Sequence, residues 1–254
     1  MSTSKIHFLG SDHAETPAAI KKLKSMYGHA ELDAADIIVA LGGDGFMLRV
    51  LHQMVDSGLP VYGMRMGRIG FLMNGFQDNK LLERLEQATS VRLNPLRMTA
   101  VCADGSVQEA LAINEVSLLR QSNQAAHLRL SINASIKIDE LVADGILVST
   151  AAGSTAYNFS ARGPILPLGT DALAVTPISP FRPRRWHGAV LPSEASVEIE
   201  ILQAKRRPVS ATADYIEFRD VIGVKVVEDA ATVLTLMFDQ DHSLEERILN
   251  EQFR

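Results

Sequence analysis

The sequence predicts an α/β domain joined to a mainly antiparallel all-β domain. Strand-like and helix-like segments alternate through the first third. From residue 96 onward the pattern is nearly all strand, with period-2 alternation. A final helix pattern follows the last strand. The predicted domains are therefore residues 1–93, with 240–254 returning to them, and residues 94–239. A chain of 254 residues can bury two modest cores.

In the first region, residues 5–10 (KIHFLG) read as a short strand. Thr16 and Pro17 have the form of an N-cap and first helical position, opening a helix toward Tyr27. Residues 36–41 (DIIVAL) are a continuous apolar run of strand length, as expected where both faces of a parallel strand are covered. Then come GGDG (42–45) and FMLRVLHQMV (46–55), whose apolar spacing suits a helix. Residues 60–64 supply another strand and 80–88 (KLLERLEQA) another amphipathic helix, together implying a doubly wound layer.

Beyond residues 91–95 the turn signals are Asp104-Gly105 and Asp144-Gly145. Residues 128–138 (LRLSINASIKI) alternate as one half-buried strand, and Val197–Ile201, 221–227 and 232–238 behave alike. A helical insertion follows Gly153. Ser243 and Glu246 form a capping box ahead of LEERILNEQF (244–253).

Composition narrows the function classes. Apolar residues are 46% and charged residues 22%, ordinary for a soluble globular protein. A net charge of −5 argues against nucleic-acid binding, which needs a dense basic footprint. The arginines at 182, 184 and 185 beside Trp186 read as solvated surface. Cys102 is the only cysteine, so no intrachain disulfide forms, which suits a reducing compartment. Neither a secretory signal nor a membrane-length apolar run is visible, and the expected location is the cytoplasm, without membrane contact. No HExxH spacing and no GxSxG elbow occurs, so zinc chemistry and serine hydrolysis are not expected.

The strongest local signal is Gly42-Gly43-Asp44-Gly45 between a buried strand and a helix. Its glycines permit positive φ and close approach of a ligand. The helix start offers free N–H groups to phosphate, so Gly42, Gly43 and Gly45 are the predicted phosphate loop. A carboxylate in such a loop repels its ligand. Two roles justify Asp44: accepting a proton from an attacking hydroxyl, or holding Mg²⁺ against phosphate oxygens. The bland alternative is an Asx turn capping the following helix. No lysine follows in the Walker A place, and Arg49, one turn on, is within reach of a phosphate.

The second signal is STAAGSTAYNFSARG (149–163), small and hydroxyl residues after a strand. Tyr157 offers a ring for stacking; alternatively Ser154 or Thr155 is an N-cap and Tyr157 packs inward. The third is Asn114-Glu115 in an apolar strand, where buried polar groups need partners. Strict alternation aims the two side chains at opposite faces, so only a bulge or strand end lets both reach one ligand.

Together these segments resemble the NAD kinase family. LGGDGFMLRVLH (41–52), Asn114-Glu115 and DGILVSTAAGSTAYNFSARGPILP (144–167) carry the likeness, with a weaker echo at 174–178, and it covers most of the chain. It implies a Rossmann-like N-terminal domain and transfer of the terminal phosphoryl group of ATP, with Mg²⁺, to the 2′-hydroxyl of the adenosine ribose of NAD. Asp44 matches the family's proton acceptor and Gly45 the adjoining contact. Arg49 matches a ligand-contacting basic residue, and Asn114 and Glu115 those holding ribose and adenine. Asp144 matches a carboxylate that a neighbouring subunit contributes, which implies a homodimer or homotetramer with shared sites. Thr155, Ala156, Tyr157, Asn158, Phe159 and Ser160 match the adenosine-lining stretch, and Ala174 a minor contact. Phe46 stands where the family often has threonine, Ala151 and Ala152 where it has proline and a hydroxyl residue, and Asp214-Tyr215 where it has a late Asp-Gly pair. The rival readings are a GGDG-type lipid or sugar kinase and a non-catalytic NAD-sensing module.

Overall fold

The computed structural model describes residues 4–67 and 70–240. Residues up to Leu93 and those from Thr232 form one compact unit, and Asn94–Ala231 form a second. The helix expected at 244–253, with its Ser243 and Glu246 cap, lies outside the described residues.

In the first unit, β1 (Ile6–Gly10), β2 (Ile37–Gly42), β3 (Val61–Arg65) and the short β4 (Asn74–Gly75) pair in parallel. Next to β3 lies the chain's last strand, β18 (Leu234–Phe238), parallel to β3 and antiparallel to β5 (Thr89–Leu93). The sequence pattern had assigned that last strand to the β region. Its period-2 alternation could not distinguish the two sheets; only partner choice does. Helices α1 (Thr16–Tyr27), α2 (Asp44–Gln53) and α3 (Leu81–Gln87) cover the sheet. Leu23 of α1 and Leu81 and Leu85 of α3 join Phe8, Val39, Leu41, Tyr62 and Met64 in one core. Met47 of α2 lies over Gly63 on the other face. Every residue of β2 is buried, which explains its unbroken apolar run. Helix α1 starts one residue before the expected place: Glu15 is the N-cap and Thr16 is already helical and buried.

The second unit is two six-stranded antiparallel sheets sharing one core. The first comprises β6 (Leu96–Cys102), β7 (Val107–Ala112), β9 (Ala126–Ile132), β10 (Ser135–Ala143), β14 (Val197–Ile201) and β17 (Val221–Glu228). The second comprises β8 (Glu115–Arg120), β11 (Gly145–Ser149), β12 (Ala172–Ile178), β13 (Ala189–Pro192), β15 (Val209–Ala213) and β16 (Ile216–Phe218). Leu96, Met98 and Ala100 of one sheet meet Val116, Leu118, Ile146 and Val148 of the other. This is the layered solution for sheets with one apolar face each.

Two local expectations change. Residues 128–138 are not one strand: Asn133 and Ala134 take φ of 50° and 60° and turn β9 back into β10. Such a two-residue turn needs positive φ at both places. It reverses which parity faces inward, so Ile136 is exposed while Leu141 and Ala143 are buried. Asp144-Gly145 is not a hairpin turn. Gly145 pairs with both β8 and β12 as the chain passes from one sheet to the other. A side chain there would sit 1.9 Å from the Leu118 carbonyl oxygen, so strand crowding, not a turn, requires the glycine.

Candidate functional site

The candidate groups fall into two clusters, one in each unit. In the first unit β2 delivers the chain to Gly43, the N-cap of α2, in extended backbone (φ −121°, ψ −177°). None of Gly42, Gly43 and Gly45 takes positive φ, contrary to the expectation, because the extended Gly43 makes the corner by itself. Their demands differ. A methyl on Gly42 would lie 2.7 Å from the Phe46 ring, whereas one on Gly43 or Gly45 would meet no described atom within 4 Å. Packing explains the first glycine; the open space beside the other two is room for a ligand at a helix start.

Asp44 is the first residue of α2, and its carboxylate does not cap that helix. Its Oδ2 accepts the Phe71 N–H at 2.7 Å and its Oδ1 the Leu72 N–H at 3.0 Å. The Asx-turn alternative is therefore not what the structure contains. The two bonds fix the carboxylate's direction while each oxygen keeps a lone pair for a further donor. Gly70 makes this possible: a methyl there would lie 3.2 Å from Oδ1. Arg49 is exposed one turn on, its guanidinium 5.7 Å from the centre of the Phe46 ring.

In the second unit Asn114 lies just before β8 and Glu115 is its first residue, the strand-end placement that frees the pair from strict alternation. The backbone here is held from both edges. Thr150 donates its hydroxyl to the Ile113 carbonyl (2.7 Å) and its N–H to the Asn114 carbonyl (2.9 Å). Asp214 accepts the N–H groups of Ile113, Asn114 and Glu115 at 2.7, 3.0 and 3.2 Å. Asn114 Oδ1 and Glu115 Oε2 are buried and have no hydrogen-bond partner among the described residues. Burial, with the nearby Asp214 charge, pushes the Glu115 carboxyl up to about 7. Two orphaned acceptors on consecutive residues suit donors from a ligand, and sugar hydroxyls or an exocyclic amine would serve.

The segment after β11 folds back against this edge. Gly153 opens a 3₁₀ turn so close to the chain that a methyl there would lie 2.1 Å from the Asn114 carbonyl oxygen. The short helix α4 (Tyr157–Ser160) follows. Neither Ser154 nor Thr155 is an N-cap. Ser154 is buried, donating to the Ala151 carbonyl at 2.7 Å and accepting the Leu166 N–H at 2.9 Å. Tyr157 does not pack inward: it is 36% exposed. Burial of part of the ring, with the fields of Glu115 and Asp144, raises its phenol. Tyr157 and Ser160 line a cavity of about 500 Å³ with Arg162, Pro177, Arg184 and His187, so Arg184 borders a pocket rather than plain surface. Asp144 itself is paired with Arg120 (Nε to Oδ1, 2.5 Å).

Two predicted contacts have no free surface. Asn158 is fully buried, donating to the Ser154 and Pro164 carbonyls and accepting the Thr176 hydroxyl at 2.7 Å. It holds the loop together, and a methyl on Gly163 would strike it at 2.1 Å. Ala174 is also fully buried, packed with Ala151 and Leu166. Thr155 and Ala156 are partly exposed, and Phe159 and Ser160 exposed. Asp214 and Thr150 are the contributors that motif reading passed over. The one signal for Asp214 was its place in the Asp214-Tyr215 pair; Thr150 lay unremarked inside STAAG.

A glycine corner at a helix start with a carboxylate aimed away from its own helix, in the first unit, suits a phosphotransferase, and the orphaned acceptors of the second unit suit a nucleotide-like ligand. Comparison with known proteins makes this particular. Residues 2–90 match the model of the ATP-NAD kinase N-terminal domain, and residues 113–235 that of the ATP-NAD kinase C-terminal domain. The NAD kinase of Caulobacter vibrioides is 52% identical over 250 residues, covering 98% of this chain and 96% of that protein. That of Hyphomonas neptunium is 51% identical over 253 residues, 100% and 99% of the two chains. In fold, the chain resembles yeast NADH kinase complexed with NADH (TM-score 0.83, 19% identity, 99% of this chain and 88% of that one). It also resembles an NAD kinase from Archaeoglobus fulgidus in complex with ATP (TM-score 0.78, 21% identity, 97% of each). The chain belongs to the NAD kinase family, and its activity is that of a nucleotide-binding phosphotransferase acting on NAD.

Proposed function

We propose that the chain transfers the terminal phosphoryl group of ATP to the 2′-hydroxyl of the adenosine ribose of NAD, making NADP, with Asp44 as the base. The observation that carries this is the Asp44 carboxylate, held by the Phe71 and Leu72 N–H groups instead of capping its own helix. A hydroxyl is a poor acid, so Asp44 takes the proton as the oxygen attacks phosphorus. The corner of Gly42, Gly43 and Gly45 seats phosphates at the start of α2, and Arg49 adds charge to them.

Asn114 and Glu115 receive hydroxyl or amine donors of the adenosine on their orphaned oxygens. Tyr157 stacks on a ring, and Thr155, Ala156, Phe159 and Ser160 line the same ligand. Asn158 and Ala174 act behind this surface, as supports. Mg²⁺ comes with ATP, whose phosphates supply its ligands and whose charge it neutralises. Asp144 serves a neighbouring copy of the chain, and the working form is a homodimer or homotetramer. The location is the cytoplasm, in keeping with one buried, unpaired cysteine, Cys102.

Incubation with NAD, ATP and Mg²⁺, with NADP read by an NADP-specific dehydrogenase, tests the reaction. Steady NADP formation supports it. Binding of NAD with no product from ATP, another nucleotide or polyphosphate would identify a sensor instead.

A further inference from the structure

Asp214 occupies the two-residue connection between β15 and β16, a place where a turn asks for glycine. Its φ is 52°, in the left-handed region that glycine adopts freely and aspartate tolerates at some cost. The carboxylate is what the position gains by forgoing glycine. Its Oδ2 accepts the Ile113 N–H, and its Oδ1 accepts those of both Asn114 and Glu115. Its own N–H donates to the Glu115 carbonyl at 3.1 Å. Three consecutive N–H groups need an acceptor-only partner, which a carboxylate is and an amide is not.

The opposite edge of the same backbone is fixed by Thr150, and Gly153 sits against it. What this clamped backbone carries is two side chains whose buried oxygens have no partner among the described residues. A turn needs no such clamp. A pair of acceptors that must meet donors on a ligand does, because misplacement by a fraction of an ångström loses the bonds.

We propose that Asp214 is a positioning residue for the dinucleotide, holding the backbone of residues 113–115 so that Asn114 and Glu115 aim their free oxygens at the adenosine. This rests on the NAD-binding role given to Asn114 and Glu115 above. It adds a residue on a different strand pair, about a hundred positions away in sequence, that touches no ligand itself.

Asp214→Gly separates the two explanations. If Asp214 serves only the turn, glycine relieves the left-handed backbone and leaves NAD kinetics alone. If it positions the pair, glycine raises KM for NAD about tenfold while KM for ATP stays within twofold, and Asp214→Asn, which keeps one acceptor oxygen, falls between. Thermal melting of each variant accompanies the kinetics. A folded Asp214→Gly protein with wild-type KM for NAD overturns the proposal. So does an equal rise in both KM values, which reports general damage. Should the glycine variant not fold, wild-type KM for NAD in Asp214→Asn overturns it and a selective rise supports it. Failure of the underlying NAD reading shows differently, as a wild-type protein that forms no NADP, and removes the proposal with it.

Discussion

Replacing Glu115 by glutamine should make the free protein more stable at pH 8 while weakening its hold on NAD. The carboxyl is pushed from 4.5 up to about 7, first by burial and second by the Asp214 charge. The folded state therefore holds this proton more tightly than the unfolded chain does. Stability contributed by the group is greatest below 4.5, falls as pH rises toward 7, and is level above. A shift of this size corresponds to about 3 kcal/mol, and residual solvent contact trims it to about 2 kcal/mol. Glutamine carries no charge and has no such slope. The assay is urea unfolding without nucleotide at pH 5 and pH 8 for both proteins. The stability of Glu115→Gln relative to wild type should rise by about 2 kcal/mol between the two pH values. With nucleotide the sign reverses, because an ionised acceptor bonds a hydroxyl more strongly than an amide does, and NAD affinity should fall about tenfold. A stability difference that does not change with pH would refute the reasoning, since the carboxylate would then be solvated at no cost.

Three further outcomes follow from the glycines and Tyr157. Gly45→Ala should fold normally, since its methyl meets no described atom within 4 Å and alanine favours the helix. Its turnover should nevertheless fall more than tenfold in steady-state kinetics, as the methyl takes up phosphate space. Gly153→Ala should lose about 3 kcal/mol in chemical denaturation, because the new carbon would lie 2.1 Å from a backbone oxygen that cannot rotate away. Tyr157→Ala should weaken NAD binding about tenfold and ATP binding little, by calorimetry; equal losses would detach the ring from the dinucleotide.

Much of this was legible in the sequence, and for identifiable reasons. An unbroken apolar run before GGDG is what a strand buried on both faces requires, and β2 is buried throughout. Asn114-Glu115 stood out because polar residues in an apolar strand need partners, and two of their oxygens have none among the described residues. The rest depended on contacts distant along the chain. Asp214 lies 99 to 101 residues from the N–H groups it accepts, and no local pattern announces such a bond. Nor does sequence show that Asp44 turns to residues 71 and 72. Gly42 was read as permitting positive φ and Gly145 as a turn residue, yet these two and Gly153 have neighbours pressing on them. The Asn133-Ala134 turn was hidden because Ala134, Ile136 and Ile138 keep the apolar residues on even positions, although the turn reverses which parity faces inward.

The central claim is that Asp44 is the base. NAD affinity and single-turnover NADP formation in Asp44→Asn test it most directly, because asparagine keeps one acceptor for the Phe71 or Leu72 N–H but cannot take the proton. The account predicts NAD binding within a few-fold of wild type and a chemical step slowed by at least about a hundredfold. A chemical step within tenfold of wild type would contradict it.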